Sequence, residues 1–224
     1  MDPLNPAAAR TAPTTAEGAR VTDARAIFGE VMGLVGLTCG FAALGAYIGR
    51  DLTGLTVLVP WIVAFGCLFG LNAAAARGAQ SLAITLLFVV GLAMGIAIGN
   101  TVHVYATTQP DAVYQAAGAT GLFVGGLGAA GYATRRDLSF LYRGLFFALL
   151  ALIGFGLLTL FISIPAANVI YCVAGLAIFG LYTVVDFNRL RRAGKNETVP
   201  LAAGIFLDVL NIFLFFLSLF GGRN

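Results

Sequence analysis

The sequence predicts an all-α membrane protein built from seven transmembrane helices. Three observations carry that expectation. Apolar residues make up 59% of the 224-residue chain before its 29 glycines are counted, and only 10% are charged, against about 25% in a soluble domain. Mean hydropathy is +0.93. The apolar residues also gather into seven segments, each near the 20 or so residues that cross a hydrocarbon core. With 13 basic and 10 acidic residues, the net charge of +3 is too small and too dispersed to suggest nucleic acid.

Residues 1–26 form a tail rich in Ala, Pro and Thr that lacks the apolar core of a signal peptide. It is expected to be disordered and cytoplasmic, leaving 27–224 as one seven-helix domain. The spans run approximately over 28–49, 54–75, 80–102, 112–132, 138–162, 168–188 and 200–220. Turn and charge signals separate them, among them Arg50-Asp51, Arg77-Gly78, Gln109-Pro110-Asp111, Arg135-Arg136-Asp137 and the stretch from Arg191 to Pro200. If the N-terminus is cytoplasmic, eleven of the 13 basic residues lie on the inner side and only Arg50 and Arg223 lie outside. The positive-inside rule therefore predicts N-terminus in and C-terminus out. An arginine-heavy, alanine-rich composition suggests a GC-rich bacterial gene, hence the bacterial cytoplasmic membrane.

Several motifs lose their appeal once placed on these spans. Gly126-Leu-Gly128-Ala-Ala-Gly131 matches GxGxxG but ends a span, where a dinucleotide fingerprint opens a helix after a strand. Gly91, Gly95 and Gly99 are small residues at helical spacing, which predicts close helix packing within the bundle or between protomers. Cys39, Cys67 and Cys172 are far apart in apolar runs, without metal-ligand spacing. His103 and Trp61 sit at outer span ends, as a hydrated histidine and an interface anchor.

Sorting the acids by depth isolates two. Eight of the ten lie in the tail, in loops or near span ends, whereas Asp186 and Asp208 lie inside the sixth and seventh spans. An intramembrane carboxylate costs about 2.5–3.5 kcal/mol on insertion scales and is a functional-site hypothesis by default. The two are 22 residues apart, with Glu197 at the midpoint in the polar turn between the spans, so a hairpin sets both at similar depth. Gly204 and Asn211 share the face of Asp208, and Tyr182 and Arg189 share that of Asp186. Gly204 would admit close approach of the sixth helix, and Asn211 would offer an amide to a carboxylate. Two carboxyls together in low dielectric cannot both ionise cheaply, so the pair is expected to share a proton. When ionised it is a candidate Ca²⁺ contact through its oxygens. Arg143 and Arg77 are the candidate arginine partners, and a purely structural Asp–Arg pair is the competing explanation.

Three stretches resemble the signatures of the Bax inhibitor-1 family, the transmembrane Bax inhibitor motif family. They are Gly131-Tyr-Ala-Thr-Arg-Arg-Asp137-Leu-Ser139, Gly180-Leu-Tyr182-Thr-Val-Val-Asp186 and Leu207-Asp208-Val-Leu-Asn211-Ile-Phe213. The similarity covers about 120–224 in motifs and the first three spans in hydropathy and length. The resemblance implies six helices surrounding a central seventh and a pH-sensitive Ca²⁺ leak, with the family's aspartate pair mapping onto Asp186 and Asp208. It also implies stress protection and modulation of other membrane proteins. Family members often carry basic residues at the inner end of the second helix. Here Asn72 is followed by four alanines and then Arg77, which makes Arg143 the substitute.

Three functions remain open at this point. One is a proton-gated cation leak working with Ca²⁺, protons and the bilayer, with no tightly bound cofactor. Another is a non-conducting regulator that binds membrane proteases or other stress-related membrane proteins. The third, an intramembrane aspartyl protease, is disfavoured because neither Tyr-Asp nor Gly-x-Gly-Asp is present; the chain is not expected to be an enzyme.

Overall fold

The computed structural model describes residues 8–159, 161–162 and 165–222, with side chains from residue 24 onward. Seven α-helices follow one another: α1 Ala8–Ile48, α2 Leu58–Ala76, α3 Gln80–Thr108, α4 Pro110–Ala133, α5 Leu141–Leu158, α6 Ala167–Leu190 and α7 Thr198–Gly221. Short 3₁₀ turns at Gly54–Val57 and Lys195–Glu197 lead into α2 and α7. Residues 1–7 of the expected tail lie outside the described residues, and from Ala8 the backbone is helical and continuous with the first span.

Six of the helices are long and apolar enough to cross a membrane. The other is α4, whose 24 residues give about 36 Å at 1.5 Å per residue, ample for a crossing. Its shortfall is in hydropathy: thirteen of those residues are Gly or Ala, which contribute little apolar area. Two ends differ from the sequence expectation. Helix α3 continues six residues past 102, to Thr108, and α5 stops at Leu158.

Unlike a soluble protein, the bundle is apolar on its outer surface as well as in its core. Large apolar side chains such as Ile62, Phe65 and Phe69 on α2, and Phe146, Phe147 and Leu157 on α5, face outward, where lipid tails take the place of water. The interior gathers on α7, which packs against α1, α2, α3, α4 and α6. Its Ala202, Ile205, Phe206, Ile212 and Leu217 are all but sealed. Helix α5 packs on α6 at the edge.

Lipid tails are as apolar as leucine, so helices in a membrane associate through close packing, which small residues permit. The α1–α3 seam is built this way. A methyl group added at Gly91 would lie 2.7 Å from Thr38 O, and one at Gly99 would lie 2.5 Å from Ala46 O. Gly95 backs directly onto Ala42 O, and Gly45 and Gly49 return the contact against Leu92 O and Ile96 O. The glycine stripe is therefore intramolecular. Gly78, with φ +75°, makes the tight left-handed turn from α2 into α3 that other residues resist.

The seam yields a prediction. Gly95→Leu must push α1 off α3 and should lower stability by about 1–3 kcal/mol, the range for overpacking. Gly33→Leu, on a part of α1 where an added carbon meets nothing within 4 Å, should leave the thermal unfolding midpoint in detergent nearly unchanged.

Candidate functional site

The α6–α7 hairpin brings the two intramembrane aspartates into one buried layer. Residues 195–197 turn the chain, with Gly194 N donating to Glu197 Oε2 at 3.0 Å. Arg189 closes the turn, 3.9 Å from Glu197 Oε1. Above it, Asp186 on α6 and Asp208 on α7 are only 5% and 4% exposed. Gly204 makes their proximity possible: a methyl there would sit 2.5 Å from Asp186 Oδ2. The Asp186 carboxylate thus lies against the α7 backbone one turn before Asp208.

The surroundings offer these carboxylates little. Asp208 Oδ2 is buried with no hydrogen-bond partner. Thr183, fully buried one turn before Asp186, has its hydroxyl within donating distance of Phe179 O at 2.9 Å. Asn211 does not serve as expected: its amide donates to Leu207 O at 2.8 Å within its own helix. An amide four residues from a helical carbonyl reaches it more readily than a neighbouring helix. Tyr182 packs between Phe179 and Tyr142, with ring centroids 6.0 and 5.8 Å away.

Neither candidate arginine reaches the pair. Arg77 and Arg143 are both exposed, and the ion pairs among the described residues are Arg50–Asp51, Arg189–Glu197 and Arg192–Asp137. Sequence depth placed Arg143 and Arg77 near the aspartates, but Arg143 lies on an exposed face of α5 and Arg77 in the exposed turn beyond α2. Arg189 instead lies over the Tyr142 ring at 5.1 Å.

A second polar centre lies just beyond Asp186, and no role for it was evident from the sequence. Asn188 is 1% exposed, and its amide donates to Thr134 O at 2.8 Å, Arg136 O at 3.0 Å and Gly131 O at 3.3 Å. Its carbonyl oxygen accepts from Leu138 N at 3.1 Å and from Arg192 at 2.6 Å. Arg192 also pairs with Asp137 at 2.9 Å, and Arg191 donates to Thr134 O at 3.1 Å. The loop from α4 to α5 is thereby tied to the end of α6. Gly131 reinforces the tie by resting on Val184 O, and Gly128 rests on the Phe187 ring, so two of the three GxGxxG glycines serve packing, while a carbon added at Gly126 meets nothing within 4 Å. The available signal was the buried-type Asn188 followed by Arg191-Arg192, opposite a loop rich in free carbonyls.

Asp186, Asp208 and the loop held by Asn188 fall within the three stretches that carry the sequence resemblance, and Asn188 itself lies two positions past the second of them. The family model described as "Inhibitor of apoptosis-promoting Bax1" matches residues 24–224. The chain belongs to the Bax inhibitor family. The match extends the likeness through the first three helices, beyond the motifs at 120–224. An uncharacterized membrane protein of Vibrio cholerae is 28% identical over 190 residues, covering 84% of each chain. An uncharacterized protein of Helicobacter pylori is 26% identical over 184 residues, covering 80% of this chain and 79% of that one. An uncharacterized membrane protein of Streptococcus pyogenes serotype M1 is 25% identical over 215 residues, covering 88% and 92%. This Bax inhibitor family chain is thus a multi-pass integral membrane protein.

In this family member the Asn188 centre fixes the loop, which leads to two expectations. Asn188→Ala orphans buried backbone carbonyls and should destabilise by at least about 1–3 kcal/mol, the desolvation cost of one unsatisfied group, read as a lower unfolding midpoint in detergent. Asp137 is the acid of the cluster, and the hydrogen bond from Arg192, then that from Ser139 N, holds its carboxyl well below the usual carboxylate range. A lowered folded-state pKa gives stability that is complete above the unfolded value and is lost as pH falls through the folded one. The stability difference between wild type and Asp137→Asn should therefore be the same at about pH 6 and pH 8.

Proposed function

We propose that the protein is a pH-sensitive cation leak channel of the membrane, with Ca²⁺ as a permeant ion, gated by protonation of the Asp186–Asp208 pair. The observation that carries this reading is the buried Asp208 oxygen without a partner, beside a second buried carboxylate and with no arginine paired to either among the described residues. A structural Asp–Arg lock would offset the burial cost with an opposite charge. No such ion pair is formed by either aspartate among the described residues, which leaves the carboxyls able to take a proton or a cation. Protonation removes charge from the pair and weakens its hold on a cation. The element that responds is α7, because it bears Asp208 and packs on five other helices.

The reading takes α7 as the central helix with six around it, the N-terminus cytoplasmic and the C-terminus outside, in a bacterial cytoplasmic membrane. The loops at the α6–α7 turn end carry most of the arginines, in keeping with a cytoplasmic face. Ca²⁺ takes six to eight oxygen ligands, and no group of three or more His, Cys, Asp or Glu side chains occurs among the described residues. Two carboxylates with water completing the shell suit an ion in transit more than one held in place.

Liposomes loaded with a Ca²⁺-sensitive dye test this. Wild-type flux should change at least about fivefold between roughly pH 6 and 8, the low end of the coupling that linked sites deliver. Asp186→Asn/Asp208→Asn should lose that dependence. Equal pH profiles for the two proteins overturn the gating mechanism. An absence of flux from both overturns the channel itself and favours a non-conducting regulator of membrane proteases or other stress-related membrane proteins, to be sought by crosslinking.

A further inference from the structure

Helices α1 and α4 both lie on α7 without packing along one another. They meet near one end, where the Phe28 and Tyr132 rings stand edge to face with centroids 5.3 Å apart. Beside that contact runs a slot of 1270 Å³, floored by Phe206, Val209, Leu210 and Phe213 of α7. Its α4 wall is cut back to small residues, including Ala117, Gly121, Gly125 and Ala129, and Ala43 and Ala46 do the same on α1. Several of these wall positions are exposed, so the slot opens sideways, out of the bundle. Along α4 it extends from Ala133 to Ala117, about 24 Å at 1.5 Å per residue. That exceeds the half-thickness of about 15 Å that a chain of one leaflet must cover.

The ends of the slot differ in charge. Arg25 lines it at the Tyr132–Ala133 end, and Arg135 and Arg136 follow directly on the loop beyond α4. Arg191 reaches the same loop at Thr134 O. Two nearby acids whose side chains are described, Glu30 and Asp137, are turned away or neutralised. Glu30 is two residues from the slot-lining Phe28, about 200° around the helix, and Asp137 is paired with Arg192. An apolar trough, open to the bilayer and ending in guanidinium groups at headgroup level, complements one kind of molecule.

We propose that this slot is a binding site for a phospholipid with an anionic headgroup, its acyl chain along α4 and α7 and its phosphate at Arg25. The site stands apart from the aspartate pair: the lining face of α7 is turned away from Asp208, and the proposal does not depend on cation flux. Gly121 and Gly125 hold it open, since a carbon added to either meets nothing within 4 Å of the protein.

Native mass spectrometry of the full chain from detergent, supplied with phosphatidylglycerol or phosphatidylcholine of identical chains, tests it. Wild type should retain one phosphatidylglycerol in preference to phosphatidylcholine. Gly125→Leu, whose first added carbon meets no protein atom within 4 Å, should lose about tenfold in retention, the low end for one apolar change in a pocket. Gly118→Leu serves as the control on the same helix: it also meets nothing within 4 Å but lies outside the slot, so retention should persist. Arg25→Ala should cut the preference for phosphatidylglycerol about fivefold, the worth of one interfacial arginine. Unfolding midpoints check that each variant is folded. Equal retention of both lipids overturns the proposal, as does wild-type retention by Gly125→Leu. A dimer that Gly125→Leu dissolves also overturns it, because a second copy then fills the slot.

Discussion

The bundle depends on close approach of helix backbones. In lipid no hydrophobic force drives one apolar helix against another, so packing at short range has to do that work. Glycine supplies it at each of the seams that matter. Gly91, Gly95 and Gly99 seat α3 on α1, Gly131 seats α4 on α6, and Gly204 seats α6 on α7. The last of these has a chemical consequence as well as a structural one. Because residue 204 has no side chain, the Asp186 carboxylate occupies that space and comes to rest on the helix that carries Asp208. A buried pair of acids here follows from the absence of one methyl group.

The two polar centres of α6 illustrate opposite solutions to burying polar atoms. Only Phe187 separates Asp186 from Asn188. Asn188 uses both ends of its amide, and the groups it meets are backbone carbonyls, an N–H and an arginine of matching character. Such a fully connected network holds its geometry. The aspartates lack that completion, with one Asp208 oxygen unsatisfied. Buried polar groups in native structures are overwhelmingly satisfied, and an exception calls for an explanation such as a functional role or a mobile ion. The satisfied centre anchors the end of α6, so the unsatisfied one is held at a fixed depth beside it.

What could be read in the sequence follows from what is local. Span positions were legible because bilayer thickness sets their length, and the second and sixth, expected at 54–75 and 168–188, are observed as a turn and helix over 54–76 and a helix over Ala167–Leu190. The aspartate layer and the role of Gly204 were legible because a hairpin fixes depth from residue count alone. Arginine pairing was not. Depth says nothing of angle around a helix, and Arg143 faces outward on α5, while Arg77 lies in the exposed turn beyond α2. Asn211 bonds its own helix because the Leu207 carbonyl lies within reach one turn back. The Asn188 centre was hidden because its partners are backbone groups more than 50 positions away, and backbone carbonyls leave no mark in a sequence. The slot was hidden because it exists between α1 and α4, which never follow one another in the chain.

Helix α7 joins these features because its two sides do different things. Gly204 and Asp208 face α6, whereas Phe206, Val209, Leu210 and Phe213 form the floor of the slot. At 100° per residue the centre of that apolar set lies roughly 150° around the helix from Asp208. A shift of α7 directly toward or away from α6 would therefore alter both the spacing of the carboxyls and the depth of the slot. Whatever occupies one side can influence the other only through a difference in its own affinity between two positions of α7. In the proposed gating a proton would meet that condition through charge. The proposed lipid would meet it through shape, since four large side chains of α7 line the slot. Coupling of this kind is reciprocal by thermodynamic necessity, and the short route between the two sites is the width of a single helix.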